Sequence, residues 1–192
     1  MYRKQTVAPV NPAIELADVK LYGYINTDED DSFISSLLDT AVAYVEDYTG
    51  KALINQTFDV YYSSNELRDK MPLCELNVTA INSFNTYDLQ GNATLMSSSL
   101  YRLTGNKEVS VVFDQGITYS TVRDCDAAIV NVSAGYGTSK TDIPDKLFQA
   151  TAMFCAHLYR YNGVVSDDML KNMPWQIHTH LTQYTSVYSW VG

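Results

Sequence analysis

The side chains of this sequence best suited to chemistry are three histidines, three cysteines and a run of four acids, Asp28-Glu29-Asp30-Asp31. Helical metal sites place their ligands four apart on one face, whereas His178 and His180 are two apart and point to different faces. His157 stands on another helix with no acid near it in sequence. Cys155 precedes it by two residues, a pairing that nucleophilic catalysis could use, but Cys155 falls on an apolar helix face, where a thiol is buried and inert. Cys74, Cys125 and Cys155 are odd in number and far apart, which suits neither a disulfide framework nor a zinc knuckle. Gly135-Tyr136-Gly137 is a fragment of a phosphate loop without the Lys-Ser/Thr ending or the following helix, and it reads as a tight turn leaving a sheet. The acid run lacks the glycine and closing glutamate of a calcium loop. The expectation is a chain with no catalytic residue, no metal and no cofactor.

Two features then count as contact surfaces. Between Leu21 and Gly50 lie seven acids and no Lys or Arg. Asp28, Glu29, Asp30 and Asp31 are either a solvated helix start, favoured by the helix dipole, or an acidic face turned to a channel or a basic partner. The segment Val187, Tyr188, Trp190 and Val191 is costly to leave in water, since each buried apolar side chain is worth ~1.5–3 kcal/mol. It either folds back on its own domain or docks on a neighbouring subunit or another protein. The fifteen tyrosines suit subunit interfaces and antiparallel strands alike.

Composition narrows the class. Hydrophobic residues make up 46 % of the 192, enough for a proper core. No stretch reaches the ~18 apolar residues of a membrane span, and the start lacks the apolar run of a signal peptide. The chain is expected to be made and kept in the cytosol, with no membrane contact. The net charge is −9, and only Arg3 and Lys4 are adjacent among the basic residues. This argues against gripping a phosphate backbone and is compatible with a channel through which DNA slides without sticking.

The elements that must position these residues divide into helix-period ends and a strand-period middle. Asn11-Pro12 predicts a helix from Pro12 to about Tyr22, with Ile14, Ala17 and Leu21 on one side. Thr27 and the following acids predict a second helix over about 28–49, on the spacing of Phe33, Ile34, Leu37, Leu38, Ala41, Val45 and Tyr48, with Gly50 as its stop. Alternation predicts strands at about 53–62 and 79–87 (the latter with a possible bulge), a return at Thr94–Met96, another through Val109, Val111 and Phe113, and the cleanest at Ala128, Val130, Val132, Ala134 and Tyr136. These indicate a small antiparallel sheet, sandwich or open barrel. Helix returns after Ile143-Pro144-Asp145 on a face of Leu147, Phe148, Thr151, Ala152, Cys155, Leu158 and Tyr159. A last helix follows Met173-Pro174 with Ile177, Leu181 and Tyr184 in line. The fold class is α+β: a helical bundle of the N- and C-terminal helices (about 12–51 and 143–185), an inserted antiparallel β lobe (about 52–137) and a tail, 186–192, in one domain.

The run Ala43-Tyr44-Val45-Glu46-Asp47-Tyr48-Thr49-Gly50-Lys51-Ala52-Leu53-Ile54 resembles the first-half hallmark of the tailed-phage head–tail connector (adaptor, head-completion) family. The resemblance continues through Met71-Pro72-Leu73, Ser98-Ser99-Leu100-Tyr101-Arg102-Leu103, Val132-Ser133-Ala134-Gly135-Tyr136-Gly137 and Ile143-Pro144, in the family's order. Many relatives carry a proline near Asn77 and an arginine after the last-helix tyrosine, where this chain has Thr185 after Tyr184. The resemblance implies a structural virion protein of the neck, assembled as a dodecameric ring under the portal protein, extending the DNA channel and offering a platform to a stopper or tail-completion protein. It also implies that Val187, Tyr188, Trp190 and Val191 help grip the portal. Two other classes compete: another neck or tail component such as a stopper or tail terminator, which would be more β-dominated, and an enzyme assembled from scattered carboxylates and the three histidines.

Overall fold

The computed structural model describes residues 1–73, 76–105, 109–113, 122–161 and 174–185. Cys74, Met173 and the segment Val187, Tyr188, Trp190 and Val191 lie outside the described residues. The chain divides into two compact units: a β unit of Met1–Pro9 and Asn55–Gly135, and a helical unit of Val10–Ile54 and Tyr136–Gly192. It therefore passes between units three times. Charge is divided unevenly. The helical unit holds thirteen acids and six Lys or Arg, a balance of −7, and the β unit nine and seven, a balance of −2.

Eight strands form the β unit: β1 (Tyr2–Val7), β2 (Gln56–Tyr62), β3 (Lys70–Pro72), β4 (Val78–Tyr87), β5 (Ala93–Leu95), β6 (Tyr101–Thr104), β7 (Ser110–Phe113) and β8 (Ala128–Ala134). They make a five-stranded sheet in the order β1-β2-β8-β4-β5 and a three-stranded sheet in the order β3-β7-β6, with every pairing antiparallel. In the central strands β2 and β8 every second residue is buried, as their alternation predicts. The bulge expected in β4 is present twice, between Val78 and Ala80 and between Ile81 and Ser83. The extra residues turn their polar groups sideways: the Thr79 hydroxyl donates to the Ser133 carbonyl at 3.1 Å, and the Asn82 amide to the Asn131 side chain at 2.9 Å. The sheets face each other across Phe84, Tyr101 and Phe113, whose ring centroids lie 5.4–6.1 Å apart. The Tyr62 hydroxyl donates to the Pro72 carbonyl.

In the helical unit, α1 (Leu16–Gly23), α2 (Asp31–Thr49), α3 (Asp145–Arg160) and α4 (Trp175–Thr182) enclose one core. Helix α3 packs against the other three. Its buried set runs from Leu147 to Leu158 and includes Ala150, Ala152 and Ala156, whose small side chains let neighbours approach closely. A Cβ on Gly23 of α1 would lie 3.0 Å from the Ala156 Cβ. Phe154 is fully buried and stacks on Tyr44 of α2, with centroids 4.2 Å apart. Gly50 ends α2 in the left-handed region with φ 71°, the stop its sequence predicts. Just beyond, the Tyr136 N–H donates to the Leu53 carbonyl at 3.4 Å.

Two helix starts differ from expectation. The Asn11 side chain does not cap a helix at Pro12; its amide donates to the Thr138 carbonyl at 2.7 Å. The first helix begins instead at Leu16, where the Glu15 N–H donates to the Asp18 carboxylate at 2.9 Å and Lys140 reaches both acids, at 2.8 and 3.0 Å. Consequently Ala17 and Leu21 are exposed, and Val19 and Gly23 face the core. The second helix begins at Asp31 with Asp30 rather than Thr27 at its N-cap, so three of the four acids precede it.

Candidate interaction surfaces

The acid run sits at the entrance to α2. Asp28, Glu29 and Asp30 are exposed and Asp31 is half-buried. Lys20, one helix earlier, pairs with both Asp28 and Asp31, the latter at 2.6 Å. The hydrogen bond and charge of Lys20 hold the Asp28 carboxyl below the usual carboxylate range, and the two acids raise the Lys20 ammonium in turn. The Tyr159 hydroxyl donates to the Asp30 carboxylate at 2.6 Å, which pushes that phenol up. Three of the four acids are thus engaged within their own unit, and Lys20 offsets part of their charge. Farther along α2, Glu46 accepts from the Leu53 N–H at 2.7 Å, while Asp39 and Asp47 are exposed.

Exposed apolar side chains occur in both units. In the helical unit Tyr24 is 86 % and Trp175 77 % exposed, and Leu21 is exposed as well. The sequence reading passed over Trp175 and Tyr24; the signal available was an aromatic next to a helix boundary, off the apolar stripe. In the β unit Tyr2 stacks on Tyr61 with centroids 4.4 Å apart and donates to Asp126 at 3.2 Å. Beside them the Arg123 guanidinium lies 4.4 Å from the Tyr87 ring centroid. Aromatic and arginine side chains of this kind are the usual anchors of protein interfaces.

The chemical candidates are placed apart. Cys155 is fully buried and burial pushes its thiol up to about 12. His157 is buried on the same helix, and His178 and His180 stand on α4. Among the described residues no group of three His, Cys, Asp or Glu is placed to hold a metal ion. The Gly-Tyr-Gly segment is a turn. A Cβ on Gly135 (φ 148°) would lie 2.5 Å from the Asn55 backbone, and one on Gly137 would meet the Asp142 carboxylate at 2.2 Å, which accepts from the Ser139 N–H. A cleft of about 210 Å³ in the β unit is lined by Tyr62, Glu66, Arg68, Lys70 and Pro72, and one of about 70 Å³ in the helical unit by Tyr22, Met153, His157, Arg160 and Ile177. Both are smaller than the ~300 Å³ at which small-molecule pockets begin. Among the described residues no helix is long and apolar enough to cross a membrane.

Comparison with known proteins gives two results. The family model described as head completion protein matches residues 13–184. Three solved chains share the fold over the whole length. One, from the neck of an empty gene transfer agent (GTA) particle computed with C6 symmetry, has TM-score 0.79 at 20 % identity and covers 100 % of this chain and 99 % of that one. A chain from the virion of a native GTA particle matches equally well. A third, from the neck of a native GTA particle computed with C12 symmetry, has TM-score 0.78 with the same identity and coverage. No curated protein matches the chain.

Proposed function

This chain belongs to the head completion protein family, and on that premise we propose that it is the head–tail adaptor of a phage-like particle, a ring that docks on the portal and extends the DNA channel toward the tail. The observation that carries the reading is the family match over residues 13–184. The full-length likeness to chains from GTA necks computed with C6 and C12 symmetry supports a ring, a dodecamer in the assembled particle, located in the virion neck. Its role is structural rather than catalytic: the ring holds its partners together through surfaces, and DNA passes without specific contact. A net charge of −9 suits that passage, because like charge keeps the DNA from adhering.

A closed ring is built from head-to-tail contacts whose rotation closes, so each copy needs two different adhesive faces. The exposed aromatics of the two units, Trp175 and Tyr24 in one and the Tyr2–Tyr61 stack in the other, are suited to those faces. Val187, Tyr188, Trp190 and Val191 serve as the grip on the portal, and Glu29, with the exposed edges of Asp28 and Asp30, faces the channel or a basic partner. A stopper or tail-completion protein takes the ring's other end.

Negative-stain imaging of the purified protein, alone and mixed with its portal, tests the reading. A ring seated on the portal is expected, and loss of residues 186–192 should abolish attachment while leaving the monomer folded. A protein that stays monomeric and never binds the portal would overturn the adaptor reading in favour of a stopper or terminator. Unchanged attachment of the shortened chain would overturn the tail assignment alone.

A further inference from the structure

Strand β1 belongs by its contacts to the β unit, yet the chain that follows it enters the helical unit and returns to the β unit only at Asn55. Its hold is superficial. None of its six side chains is buried. It is kept by the ladder to β2, by Tyr2 on Tyr61 and Asp126, by the Arg3 guanidinium 5.7 Å from the Phe58 centroid, by Gln5 on Gln56 and by the Thr6 hydroxyl on the Thr57 carbonyl at 3.1 Å. All of these partners are at least fifty residues away in sequence.

The connection after β1 is exposed along its whole length. Ala8, Pro9, Val10, Asn11 and Pro12 are all exposed, Val10 at 93 %. Two prolines remove two N–H donors and stiffen the backbone in extended form, so the segment is not drawn into a ladder. Its far end is fixed within the helical unit, where the Asn11 amide reaches the Thr138 carbonyl and Ala13 and Ile14 are buried. Five residues span at most ~17 Å when fully extended. The β2 edge of an identical chain offers β1 the same set of partners, which is the condition for low-cost exchange of an element between protomers.

We propose that β1 is exchanged between adjacent copies, each copy's β1 pairing with the next copy's β2, so that the ring is laced strand to strand. This rests on the ring reading above. It makes β2's edge the interaction surface and a second copy of this chain the partner.

The register pairs Lys4 with Asp59 on β2, and directly opposed residues have Cβ atoms ~4.5–5.5 Å apart, within reach of a disulfide or a short bis-maleimide. In a background with Cys74 and Cys125 changed to serine, chains carrying only Lys4→Cys are mixed with chains carrying only Asp59→Cys, assembled on portal-bearing heads and cross-linked. Exchange predicts a covalent dimer, which no intramolecular pairing can give. A control chain with both cysteines should give a covalent ladder on the heads and only an internal link as free monomer. If the double-cysteine chain on the heads gives only the internal link and the mixture no dimer, the exchange is overturned while the ring stands. If the unmodified chain never assembles on the heads, the ring reading falls and the exchange with it.

Discussion

The two units solve the problem of stability differently. The helical unit gathers Ile34, Leu37, Ala41, Val45, Leu147, Phe154, Leu158, Ile177 and Leu181 into one cluster and its sequence carries a balance of −7, whereas the β unit is nearly neutral and sandwiches Phe84 and Phe113 between two sheets. Burial through a central helix makes the first depend on a few large side chains. The second depends on ladders and on turns that only certain residues permit. Net charge therefore resides mainly in one unit, and strand ladders in the other, while both bury a core.

The contrast can be broken first at Phe154. Phe154→Ala removes a fully buried ring stacked on Tyr44, and a loss of about 3–5 kcal/mol is expected. Hydrogen exchange followed by mass spectrometry should show protection falling in α2 and α3 while β2 and β8 retain theirs; equal loss in both units would mean that they unfold as one. Next in size is Gly135→Ala. A Cβ there would lie 2.5 Å from the Asn55 backbone at φ 148°, and a cost of about 3 kcal/mol should appear as lost protection in β2 and β8. Stability like that of the unmodified protein in urea titration would show that this turn relaxes freely.

The smallest effect is set by pH. Burial pushes both the Cys155 thiol and the Tyr136 phenol of the helical unit up to about 12. In the unfolded chain each releases its proton nearer its ordinary value, so above pH 9 the unfolded state holds fewer protons and stability falls as pH rises. At pH 10 the thiol alone contributes about 1 kcal/mol of loss. Raised phenols in the β unit, Tyr2, Tyr61 and Tyr101, act in the same direction with smaller shifts. Thermal unfolding between pH 8 and 10.5 should show a steady fall in Tm that Cys155→Ala reduces; a flat profile would contradict the burial of these groups.

Legibility in the sequence followed burial. Strands β2 and β8 and helix α3 are buried on a regular period, and their patterns announced them. Strand β1 has no buried residue and therefore no alternation to read. Strands β3 and β6 are three and four residues long, no shorter than β5 and β7, but lack the preceding Leu89–Asn92 turn that marks β5 and the Val109, Val111 and Phe113 alternation that marks β7. Asn11-Pro12 has the composition of a helix start, but the Asn11 amide is taken by a carbonyl 127 residues away, a tertiary choice that no local pattern contains. Of the candidate surfaces, the acids are visible in the sequence as a run. Their pairing with Lys20 and Tyr159 is not, because it depends on how α1, α2 and α3 pack. Family resemblance, carried by ordered short motifs, reached the family that the match over residues 13–184 shows, which no side-chain chemistry did.

The hydrogen bond from the Tyr136 N–H to the Leu53 carbonyl joins the two places where the helical unit's chain departs and comes back. Residues 55–135 therefore enter and leave through one doorway, and a linker of a few residues could close it. Strand β1 stands outside that doorway, because it joins the helical unit through its own junction at Pro9–Val10.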